Sequence, residues 1–156
     1  MGFTFREDAL LKRLLLMKQM PFSPDFALLW LRVGCFTTLF LKHGLQKLSH
    51  YPGNMHSFFD PLHIGPLPSL LFATLSDSIC SLLIIAGLAT RWSALVVFVN
   101  IFVAWAFQQH FLFFAHDAAH GELMVLYLVV SLMLFIGGAG RFSFDALLDR
   151  SAPDRR

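Results

Sequence analysis

Three polar residues sit where hydrocarbon would not tolerate them alone. Arg32, Asp77 and Asn100 each fall inside a long apolar run, and an ionised group near a bilayer centre costs at least about 2.5 kcal/mol on insertion scales. Counted from the ends nearer the Lys- and Arg-rich flanks, they lie about 10, 18 and 12 Å deep at 1.5 Å per residue. A long guanidinium can bridge that difference. The spacing therefore predicts an interior cluster in which Arg32 pairs with Asp77 and Asn100 completes the hydrogen bonding, with Ser76, Ser78 or Ser131 in reach. Two roles fit: an ion pair that locks helix register, as polar groups between membrane helices do, or a quinone headgroup or proton site.

A second concentration lies toward the opposite ends of the runs. All seven histidines, His43, His50, His56, His63, His110, His116 and His120, fall in or beside two connections free of Lys and Arg. Lys47, Gln109, His110 and Glu122 form the expected polar rim there, with Lys47 and Glu122 as its ion pair. Imidazole titrates near neutral pH and ligates metals, so metal capture and proton exchange at a quinone site are both open. So is a structural reading, since an amphipathic ring suits a wet interface. Within "AHDAAHGE", His116 and His120 are four apart and would share one helical face, with Asp117 between them. That is the seat of a divalent metal in zinc proteases, but the acid is one methylene short and a well-spaced third ligand is missing. The same residues also read as the capped start of a helix, with Asp117 favoured by its dipole.

The elements that must position these groups follow from composition. Of 156 residues, 56% are hydrophobic and 14% charged, and the charges fall mostly between long apolar runs, which points to lipid as solvent. Four spans are expected, at about 25–48, 67–88, 92–114 and 121–138. Ser23, Pro24 and Asp25 supply the cap, first-turn proline and dipole-friendly acid of the first. Arg6, Lys12, Arg13 and Lys18 precede it, Arg91 follows the second, and Arg141, Arg150, Arg155 and Arg156 follow the fourth. Cytoplasmic flanks retain such an excess, so both termini are expected in the cytoplasm. The fold class is then all-α, an integral membrane four-helix bundle occupying 23–141. Short amphipathic helices flank it, in an N-terminal segment 1–22 on the inner leaflet and in a tail, 142–156, where Ser143 can cap "FDALLDR".

Other chemistries drop out. The net charge of +2 is too small for a nucleic-acid partner, and the 18 Phe belong to apolar runs. No P-loop, dinucleotide fingerprint or GxSxG elbow occurs. Cys35 and Cys80 lack any redox or zinc spacing and read as packing residues.

The order of several short motifs resembles the DoxX family of small four-helix membrane proteins, over roughly Leu28 to Leu148. They are Arg32 in the first span, "HGLQK" with Gly44 and Lys47 at its end, Asp77 in the second, and "GLATR" ending at Arg91. "HGE" from His120 to Glu122 and the "GAGRFSFD" tail complete them. Asp77 departs from the family, which more often has Glu there. The resemblance implies a bacterial inner-membrane protein, an accessory subunit beside a redox system rather than an enzyme on its own, with quinone as the plausible mobile partner. Two rival readings stand beside it: a structural or assembly subunit flanking a larger membrane complex, and a protein handling a metal ion or small solute on the outer side.

Overall fold

The computed structural model describes residues 24–49, 58–108, 110–111 and 121–151. Among them the regular structure is helical, with no strand. Three helices are long and apolar enough to cross a membrane: α1 Pro24–Ser49, α2 Pro66–Ala86 and α3 Thr90–Gln108, of 26, 21 and 19 residues. At 1.5 Å per residue they reach about 39, 32 and 29 Å, against a hydrocarbon thickness of about 30 Å. A shorter apolar helix, α4, runs Gly121–Gly137, and α5, Phe144–Ser151, follows it. The chain is a multi-pass membrane protein built as an all-α bundle. The expected N-terminal amphipathic segment lies outside the described residues.

The helix ends are set by local chemistry. Pro66 opens α2 behind Gly65, whose φ of 109° admits only glycine comfortably. Asp60 secures this start: its carboxylate accepts the Gly65 N–H at 2.6 Å, the Ile64 N–H at 3.2 Å and the Ser69 hydroxyl at 2.8 Å. At the other end Gly87, with φ 75°, closes α2. Its N–H reaches the Ile84 carbonyl and the Leu88 N–H reaches that of Leu83, the paired bonds of a Schellman cap. Ser143 caps α5 through the Ala146 N–H.

Two helices are interrupted by π turns, α1 at Phe40–Gly44 and α2 at Leu75–Cys80, and α3 ends in a third, Ala104–Gln108. Such widened turns often occur at functional sites. The first half of α1 packs on the last turns of α2, the π turns of α1 and α2 pack on each other, and α3 lies along α4. The core comprises Phe36, Leu39, Ile84, Val97, Tyr127 and Leu134 with their neighbours. Outward-facing Trp30, Ile79, Trp92, Met133 and Ile136 are more than half exposed in the isolated chain, an apolar girdle that suits acyl chains. Thr74, Ser76, Ser78, Ser81, Thr90, Ser93 and Ser131 are buried between the helices, small residues that let membrane helices approach.

Candidate functional site

A close backbone approach between α1 and α2 is made possible by Gly44. A methyl group there would overlap the carbonyl of Asp77. Lys47, three residues on, shares the face of Gly44. Helical side chains lean toward their own N-terminus, so on antiparallel helices Lys47 leans inward from the end of α1 while Asp77 leans to meet it. The Lys47 ammonium is paired with Asp77 Oδ2. Asn100 Nδ2 on α3 donates to Asp77 Oδ1 at 3.0 Å, so both carboxylate oxygens are engaged, with Asp77 only 4% exposed.

This trio forms the floor of a partly open cavity of about 800 Å³. Its walls are mainly apolar, from Leu39, Phe72, Val99 and Ile101 on the helices and Phe59, Leu62 and Ile64 on the segment before α2. The Asp60 turn holds that segment in place, and the Phe58 ring lies 6.0 Å from Lys47 Nζ. Outside the spans, Asp60 is shifted by opposing influences. Desolvation alone would raise its pKa, but the bonds from Ser69, Gly65 and Ile64 together hold the carboxyl below its ordinary value. Tyr127 and His43 also line the cavity. The Thr38 hydroxyl gives its proton to the Cys35 carbonyl at 2.6 Å, so the Tyr127 hydroxyl is the donor in their 2.9 Å contact.

Arg32 belongs elsewhere. It is fully buried, and its Nη2 donates to the Phe142 carbonyl at 2.5 Å, not to Asp77. The expected Arg32–Asp77 pair is corrected for a geometric reason: Arg32 leans toward the start of α1, away from the cavity. There it joins a clasp between the tail and the turn from α2 to α3. Asp145 accepts the N–H groups of Ala89 at 2.7 Å and Thr90 at 2.9 Å, and gives its own to the Gly87 carbonyl at 2.8 Å. Asp25 accepts the Arg141 N–H at 2.9 Å. Gly87 is doubly required, since a side chain would strike the Arg32 guanidinium and Ser143.

The serines expected near Asp77 do not join it. Ser78 bonds back to the Thr74 carbonyl, and the Ser76 and Ser131 hydroxyls have no hydrogen-bond partner among the described residues. Of the expected rim, Lys47 turns inward to Asp77 and is not the partner of Glu122, which is exposed on the first turn of α4. His110 is exposed, with a left-handed φ of 47°. Gln109, His116, Asp117 and His120 lie outside the described residues. Among the described residues no three His, Cys, Asp or Glu side chains gather as a metal site. Sequence reasoning missed the inward turn of Lys47; the signal was the Gly44-to-Lys47 spacing, which puts the close-approach residue and the cation on one face.

Residues 27–117, more than half of the chain, match the DoxX family. The matched region holds all but the first three residues of α1, all of α2 and α3, and the whole floor of the cavity, whereas the "GAGRFSFD" tail lies beyond it. Comparison with curated proteins and with solved structures returns no match.

Proposed function

Because the chain belongs to the DoxX family, we propose that it is an integral membrane subunit of a redox system, quinone-linked and without catalysis of its own, in the bacterial cytoplasmic membrane. The observation that carries this reading is the cavity. Its volume, about 800 Å³, falls in the 300–1,000 Å³ range of small-molecule sites, and apolar walls converging on a few polar groups are what such sites use. A quinone has the matching shape: a flat head with carbonyl oxygens on a hydrocarbon tail. Lys47 and Asn100 would hold the head oxygens, and the walls from Phe59, Leu62 and Phe72 the tail. When bound, the quinone would supply two-electron, two-proton redox chemistry, and the electrons would come from a partner in a larger membrane complex.

This chain's own residues would bind and orient the head and keep it out of bulk water. The paired Asp77 makes a lysine tolerable in an apolar chamber, and its bond to Asn100 fixes the amide's direction. The test is purification in mild detergent with native lipid, followed by quinone analysis of the extract and identification of co-purifying proteins. Quinone near one per chain together with a redox protein supports the reading; an extract free of quinone contradicts it.

A further inference from the structure

The charges at the cavity floor restrict what it can hold. Lys47 contributes one positive charge and Asp77 one negative, in direct contact, so the floor is electrically balanced. Both Asp77 oxygens are engaged. The ammonium carries three donors and the Asn100 amide two, of which Asp77 takes one from each. The donors that remain face a chamber otherwise lined mainly by hydrocarbon, with His43 and Tyr127 as the other titratable groups on its wall.

We infer that this cavity selects uncharged amphiphiles whose head carries a hydrogen-bond-accepting oxygen, seated by Lys47 and Asn100, and rejects lipophilic anions. A carbonyl or hydroxyl head satisfies spare donors without changing the charge balance. A carboxylate or phosphate head would add an uncompensated negative charge beside Asp77 in a weakly screening medium. It could bond the spare donors of Lys47 only by sharing one cation between two buried carboxylates, which leaves the floor with a net negative charge. The inference deepens the proposed function and rests on the cavity being the ligand site, but it does not require that the ligand be a quinone.

The experiment compares three probes of similar tail length on the full-length protein in phosphatidylcholine nanodiscs: a decyl-substituted benzoquinone, dodecanol and dodecanoate. Equilibrium binding is measured at pH 9, where dodecanoate is ionised even after the rise a membrane interface imposes on a carboxyl and an ordinary imidazole is neutral. The neutral probes are expected to bind at least tenfold more tightly than dodecanoate. Asp77→Asn, which leaves the floor with a net positive charge, should reverse that order. Should this variant fail to fold, Asn100→Lys gives the same positive imbalance with the Lys47–Asp77 pair kept, and dodecanoate should then bind more tightly than dodecanol. Binding of dodecanol without the benzoquinone would support charge selection and refute the quinone reading. Dodecanoate binding as tightly as dodecanol in the unaltered protein, an order unchanged by Asp77→Asn, or no binding of any probe would each overturn the inference.

Discussion

Lys47 and Asp77, thirty positions apart, meet where the π turns of α1 and α2 touch. Their pairing is the reason either can be charged inside the bundle. Removing one partner of a buried pair costs about 3–5 kcal/mol, whereas replacing both with apolar residues is often neutral. The Lys47 side chain keeps 21% of its exposure, so the lower end applies. Lys47→Met is expected to lower stability by about 3 kcal/mol, and Lys47→Met with Asp77→Leu to recover most of it. A double-mutant cycle of unfolding in bicelles measures this; additive losses would count against the pair.

Gly44 makes that pairing geometrically available. A methyl group at this position meets the Asp77 carbonyl, and backbone cannot yield as a side-chain tip can. Gly44→Ala should therefore cost about 1–3 kcal/mol, the range for overpacking, and loosen the cavity floor. Gly34 has nothing within 4 Å of the added methyl, so Gly34→Ala is the control: it should lose no stability and gain up to about 1 kcal/mol from helix propensity.

The clasp is the second structural dependency. Asp145 bonds two N–H groups at the start of α3, where Ala89 holds a left-handed φ of 47°. That conformation costs a non-glycine residue about 1 kcal/mol, which these bonds offset. Asp145→Ala should destabilise the protein by about 1–2 kcal/mol, the usual loss for a helix cap, and release α5. Limited proteolysis would then cut near Arg141 faster than in the unaltered protein, with the cavity probes still bound.

The segment that walls the cavity before α2 has its own pH dependence. Asp60 is held below its ordinary pKa by Ser69, Gly65 and Ile64, so the folded state binds the proton less readily than the unfolded chain. Its contribution is present at neutral pH and is lost as pH falls through the depressed value. Amide exchange at Ile64 and Gly65, corrected for intrinsic rate, should rise at acidic pH. In Asp60→Asn it should already be raised at pH 7, and protection unchanged there would contradict the assignment.

Part of this was legible from residue types alone. Apolar runs long enough to span and the meeting of Asp77 with Asn100 follow from composition and depth, because hydrocarbon forces intramembrane polar groups together. Depth did not reveal direction. Arg32 and Asp77 differ in depth by no more than a guanidinium can bridge, yet the lean of side chains toward the N-terminus of each helix sends them to opposite ends. From residue types alone Lys47 is expected at the outer rim beside Glu122, since nothing in "HGLQK" announces the close approach of Gly44 to Asp77 that brings the ammonium inward. The cavity was illegible for another reason: its wall includes Phe59, Leu62 and Ile64, apolar residues in a connection, placed there by the Asp60 turn.

The most direct test is photolabelling of the native membrane with an azido-benzoquinone carrying a decyl tail, followed by peptide mapping. The label is expected on Phe58–Ile64 and Val99–Ala104, competed by excess unlabelled quinone, and lost in Ala73→Phe, which puts a ring into the chamber one turn from Asp77. Label confined to the lipid-facing surface of α4, or uncompeted labelling throughout, would contradict a quinone site above Lys47, Asp77 and Asn100.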